Sequence, residues 1–189
     1  MKYVKYLLGF IVLLILIFFG SGLLTPSVYY ESEIIVNKSA KESWAVMSDE
    51  SKLPQWIKGF KKTELISGTK NSVGAVSKIY IDDNGQEMTM QETIKEIKPN
   101  ALMSMKFTMD FMDMDYEMHM KENNGKTTIN SKSTTVGNGL FAKSIVSFMR
   151  GSMKSQEDEN LQSLKKVIEE NTTDYFQNPK TVGTEEEKN

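Results

Sequence analysis

The chain has 189 residues, room for one domain plus extensions, and its formal charge of −2 is nearly balanced. It has no cysteine, which excludes a disulfide framework and thiolate chemistry, and its single histidine leaves transition-metal sites without their usual ligands. There is no concentrated Lys/Arg stripe, so nucleic acid is not an expected partner, and no motif asks for a cofactor or a metal.

The first element is apolar. From Leu7 to Phe19 nearly every residue is Leu, Ile, Val or Phe, and no charge occurs between Tyr6 and Tyr30. At roughly −0.3 to −0.6 kcal/mol per residue, a dozen such side chains favour bilayer insertion by several kcal/mol. Extended through Leu24, the run reaches the ~20 residues that a membrane-spanning helix needs. Gly20-Ser21-Gly22 also resembles a signal-peptide cleavage site, so residues 1–29 read as a membrane anchor or a signal segment. Lys2 and Lys5 keep the N-terminus cytoplasmic and send the domain across the membrane; cleavage would leave it secreted.

Residues 30–170 read as one globular domain. Tyr30 to Val36 alternates as a strand, with Ile34 and Val36 on one face. Ser39 and Glu42 form a capping box that starts a helix over Ala40 to Met47, with Trp44 on its buried side. A second helical turn from Asp49 is expected to stop near Pro54, ahead of Trp56. Core packing is the expected role of both tryptophans. A further strand covers Gly59 to Ser67.

Three turns then fix the register of a β-meander. Asn84-Gly85 and Asn124-Gly125 supply the positive φ angles of tight hairpins. The first sets Ile81 opposite Met88, Ile79 opposite Met90 and Ser77 opposite Glu92. The second sets Met120 opposite Ile129, Met118 opposite Ser131 and Tyr116 opposite Ser133. Between them, Met103, Met105, Phe107 and Met109 fall on odd positions, while Met112, Met114, Tyr116, Met118 and Met120 fall on even ones. A turn at Asp110-Phe111 pairs Phe107 with Met114 and Met105 with Tyr116. All three turns put the same residues on one face, and a one-residue slip would expose every one of them. Ile97 breaks the alternation before Pro99; the simplest register across that link places Glu92 beside Met105. One row would then hold Ser77, Glu92, Met105, Tyr116 and Ser133, with about 4.8 Å between strands.

From Leu140 to Glu169 the period becomes helical. Ile145, Phe148, Met149, Met153, Leu161, Leu164 and Ile168 form a stripe interrupted by Gln156 and Asn160, as a wet cavity would allow. Residues 171–189 lose periodicity and read as a disordered acidic tail.

This order resembles the START-like, or Bet v 1-like, superfamily, known in bacteria as SRPBCC, and most resembles its polyketide cyclase/dehydrase and lipid-transport branch. The likeness is carried by Ala40 to Trp44, Ser48-Asp49, Leu53 to Trp56, Val73-Gly74, Glu92 to Pro99, Gly125 to Thr127 and Leu161 to Lys165. It spans roughly Tyr30 to Glu170, and the N-terminal apolar run lies outside it. The resemblance implies an α+β helix-grip fold, a seven-stranded antiparallel sheet curved around the long C-terminal helix, with apolar ligands held between them.

The expected ligand wall is the methionine-rich face: Ile79, Met88, Met90, Met103 and Met105, then Phe107, Met114 and Met118, with Met153 from the helix. Methionine suits a surface that must fit several shapes. Polar groups on or near this face are Ser77, Glu92, Tyr116, Ser133, Gln156 and Asn160. Burial should raise the Glu92 carboxyl pKa. Glu92 and Tyr116 are therefore also the candidates for acid–base catalysis. His119 shares a parity with Asp115, Glu117 and Lys121 and belongs on the outer face. Asp110, Asp113 and Asp115 match no metal-loop spacing.

The leading expectation is a non-catalytic, membrane-tethered domain that binds a small hydrophobic molecule such as a fatty acid, isoprenoid or lipid. One alternative is a cyclase or dehydratase using Glu92 and Tyr116; another is a chaperone-like protein-interaction module.

Overall fold

The computed structural model describes residues 2–83 and 85–176. Helix α1 (Lys2–Leu24) leads into β1 (Ser27–Val36), then α2 (Ala40–Met47), a single 3-10 turn (Glu50–Lys52) and α3 (Leu53–Trp56). A meander follows: β2 (Phe60–Ser67), β3 (Val76–Asp83), β4 (Gln86–Lys98), β5 (Leu102–Thr108), β6 (Met112–Asn123) and β7 (Lys126–Gly137). The last helix is α4 (Leu140–Glu169). The strands form one antiparallel sheet in the order β1-β7-β6-β5-β4-β3-β2, so the chain's first strand closes onto its last. This is the α+β helix-grip expected from the sequence.

Local chemistry explains most boundaries. The Ser39 hydroxyl accepts from the Glu42 amide at 3.2 Å, while the Ser39 amide donates to the Glu42 carboxylate at 3.1 Å, which starts α2. Pro54 departs from its expected role. It sits in the first turn of α3, where a missing N–H costs nothing, so it opens that helix rather than ending one.

The meander keeps its expected inner face. At the β6–β7 turn Asn124 and Gly125 have φ of 53° and 74°, and Met118 faces Ser131 as Tyr116 faces Ser133. Ile79 faces Met90 and Ser77 faces Glu92, although Asn84 itself lies outside the described residues. Phe107 faces Met114, and the Met109 amide donates to the Met112 carbonyl at 2.9 Å.

One register is corrected. Lys95 is an extra residue in β4, so Ile94 faces Met105 and Glu92 faces Phe107 instead of Met105. The bulge returns Ile97 to the inner face opposite Met103, and this is what its broken alternation signalled. Two neighbouring inner rows result. One runs Ser77, Glu92, Phe107, Met114, Thr135; the other runs Ile94, Met105, Tyr116, Ser133, Tyr30.

Helix α4 packs on β1 and β7, and also against α2 and α3. The main core lies between these elements and β6, with Ile34, Val36, Val46, Met118, Met120, Ile129, Leu161, Leu164 and Ile168 all buried. A smaller cluster joins Val28, Tyr30, Met109, Met112 and Val146. Phe148 was expected in the inward stripe but is 61% exposed; its ring stacks on Phe18 of α1, with centroids 6.0 Å apart, and Val146 faces the core instead. At the same crossing a Cβ on Gly22 would lie 2.5 Å from the Ser144 hydroxyl, so only glycine lets the two helices approach this closely.

Of the expected tail, residues 171–176 turn back over α2, where the Tyr175 hydroxyl donates to Asp49 at 2.7 Å. The acidic end, 177–189, lies outside the described residues.

Candidate ligand-binding site

The two halves of the concave face differ. On β6 and β7 the inward side chains of Met118, Met120, Ile129, Ser131, Ser133 and Thr135 are buried. On β4 and β5 the inward side chains of Met88, Met90, Glu92, Met103, Met105 and Phe107 are only half-buried, because α4 is packed toward β1 and β7 and covers them only in part; Met103, Met105 and Phe107 border the main core, and Met90 the smaller cluster. These residues line an apolar trough. Ile79, Ser77 and Ile94 are buried beside it, and Met114 stands half-buried at its border. Met118, expected in the ligand wall, is 2% exposed inside the core, and Met153 packs on the Val28–Val146 cluster.

Glu92 lies in this trough, flanked by Met90 and Ile94 along its strand and by Phe107 across it. Burial raises its carboxyl pKa, and the negative charge of Glu50 raises it further. Glu50 is itself ion-paired to Lys70.

Tyr116 lies under α4. Its hydroxyl donates to the Glu157 carboxylate at 2.8 Å. Burial, and secondarily the Glu157 charge, pushes the phenol well above its ordinary value, so it stays a hydrogen-bond donor. Gln156 and Asn160 were the expected helix partners. They bond to each other at 3.2 Å, and Asn160 accepts from the Lys58 amide. Both line a separate cavity of about 250 Å³ between α3 and α4, together with Pro54, Trp56, Lys58 and Glu159. A second cavity of about 300 Å³ lies under residues 171–176, against Lys38, Glu42 and Ile168.

Tyr30, whose phenol is also raised by burial and which has the Ser133 hydroxyl beside it, completes the polar group, and the Thr135 hydroxyl is buried without a hydrogen-bond partner among the described residues. Glu157, Tyr30 and Thr135 were missed in the sequence, yet the signal was there. Met153, Glu157 and Leu161 are spaced i, i+4, i+8 on one helix face, and Tyr30 and Thr135 share the inward parity of their strands.

The convex face carries the excluded residues. His119 lies 2.8 Å from Glu117, Asp113 pairs with Lys106 at 2.9 Å, and Tyr80 donates to Glu64. Tyr80 alternates with Ile79 and Ile81 and points outward.

Residues 28–169 match the model of the family described as polyketide cyclase / dehydrase and lipid transport. The chain belongs to that family. Solved structures agree at the level of fold. The Zhui aromatase/cyclase from Streptomyces sp. R1128 is 14% identical, with a TM-score of 0.56 over 75% of this chain and 96% of its own. SA2116 from Staphylococcus aureus, a protein of unknown function, is 16% identical, with a TM-score of 0.59 over 76% and 95%. Ara h 8.0201 is 12% identical, with a TM-score of 0.60 over 75% and 97%. No curated protein sequence matches significantly. Like its family, this polyketide cyclase/dehydrase and lipid-transport member has a ligand-binding fold, and α1 precedes the matched region.

Proposed function

We propose that the domain binds or carries a small hydrophobic, lipid-like ligand without catalysis and is tethered to the membrane by α1. The observation that carries this reading is the half-buried methionine trough on β4 and β5, an adaptable apolar surface of the kind a hydrophobic ligand would cover. At about 25 cal/mol per Å², a ligand hiding ~300 Å² of apolar surface gains on the order of 7 kcal/mol before binding costs. Catalysis is disfavoured because Glu92 and Tyr116 lie on different rows. The Phe107 ring, packed edge-on against Tyr116 at 6.2 Å, stands between them, and the Tyr116 hydroxyl is already engaged.

The tether reading rests on exposure. Every described side chain from Tyr3 to Ile17 is bare, an arrangement that a bilayer accommodates and water does not. Phe18, in the last turns of α1, meets Phe141 and Phe148 of α4, which favours an anchor kept for life over one cleaved at Gly20-Ser21-Gly22. With Lys2 and Lys5 on the cytoplasmic side, the domain stands outside.

The test is photocrosslinking of the full chain in phosphatidylcholine nanodiscs with a photoreactive dodecanol. Label on peptides from residues 86–108 supports the reading; label confined to α1, the bilayer control, overturns it.

A further inference from the structure

We infer that the site selects lipids whose polar head donates hydrogen bonds, an alcohol or an amine, and turns away carboxylates and phosphates. This inference rests on the carrier reading above and names the ligand's head.

The argument is one of charge and donor count. Two carboxylates flank the Phe107–Tyr116 aromatic pair. Glu92 stands opposite Phe107 across β4 and β5, and Glu157 accepts from Tyr116 beneath α4. Among the described residues, no Lys, Arg or His belongs to the inward rows of the sheet that hold these groups. The nearby lysines are already neutralised, Lys70 by Glu50 and Lys154 by Asp158 at 2.9 Å, while Arg150 turns to the edge of the sheet and donates to the Tyr29 carbonyl. An anionic head would therefore enter a half-desolvated space facing two like charges, with no cation to meet it. A hydroxyl or ammonium head finds two acceptors there. Tyr116 contributes no free donor, since its proton is committed to Glu157. The site as a whole is rich in acceptors, and this distinguishes it from a fatty-acid pocket, where a cation or several free donors would face the carboxylate.

The experiment uses the full chain in phosphatidylcholine nanodiscs and three photoreactive dodecyl probes that differ only in the head: alcohol, amine and carboxylate. Labelling of residues 86–108 is read by mass spectrometry at pH 7.5. The alcohol and amine are expected to label at least about tenfold more than the carboxylate, the factor that one unfavourable charged contact commands. Glu157→Gln and, separately, Glu92→Gln should each raise carboxylate labelling severalfold and lower amine labelling severalfold, so that the preference for the amine over the carboxylate collapses toward equality. Glu92→Gln, at a position outside the main core, keeps the test available should Glu157→Gln fail to fold. Equal labelling by all three heads in the unmodified protein, or carboxylate labelling indifferent to both substitutions, overturns the selectivity and leaves the carrier reading standing. Absence of label from every probe in this region overturns the carrier reading itself.

Discussion

The β6–β7 half of the sheet and the β4–β5 half share strand geometry, inward parity and a taste for methionine, yet one is a core and the other a surface. The difference lies in what covers them. Leu161, Leu164 and Ile168 of α4, with Val46 and Met47 of α2, seal Met118, Met120 and Ile129. Met105 and Met90 only border the two buried clusters and, like Met88, stay half-buried. A sheet wider than the helix that it grips therefore carries a half-covered strip of apolar side chains, the strip that the proposed ligand would cover.

Substitutions on the two halves should differ accordingly. The largest effect is expected from Leu164→Ala, which removes a fully buried side chain beneath α4 and should cost about 3 kcal/mol, read by chemical denaturation of the full chain. Next is Tyr116→Phe. It strips Glu157 of its donor beneath α4, at about 1–2 kcal/mol near neutral pH. The same substitution should also blunt alkaline sensitivity. A phenol raised above its ordinary value of 10.0 stabilises the fold below that pH and loses the contribution as pH climbs through the folded value. Met90→Ala, on the open half, should cost no more than about 1 kcal/mol, because much of its surface already meets water. Its effect should appear in dodecanol labelling instead. If Met90→Ala destabilises as much as Leu164→Ala, the open half is a core and the comparison fails.

Much of this contrast is legible in the sequence alone, because parity and turn chemistry are local. Asn124-Gly125 and the change of parity around Asp110-Phe111 fix which side chains point inward, and they do so without reference to the helix. What covers those side chains is not local. Met118 and Met90 look alike in the sequence, and only the path of α4 toward β1 and β7 makes one core and the other wall. The Lys95 bulge is an intermediate case: broken alternation at Ile97 announced an irregularity, but its size and its shift of Glu92 onto Phe107 depend on the strand pairing. Phe148 shows a different limit. Helical periodicity assigned it to the sheet side, whereas α1, packed from outside, claimed it.

The smallest expected effect, Glu92→Gln, tests whether the open half is desolvated enough to matter. Burial first, and the Glu50 charge second, raise the folded-state carboxyl above its ordinary 4.5, so folding favours the protonated form. Below the ordinary value both the folded and unfolded chains hold the proton, and Glu92 costs nothing. As pH rises, the unfolded chain releases its proton first, so stability falls until the folded carboxyl has also ionised, and the deficit then persists at neutral pH. Glutamine keeps the shape and cannot ionise, so the variant should melt slightly higher than the parent at pH 7 and at the same temperature near pH 4. A bound alcohol or amine head that stabilises the ionised carboxylate should shrink the gap at pH 7, whereas a trough wetted by bulk water would show no gap at either pH.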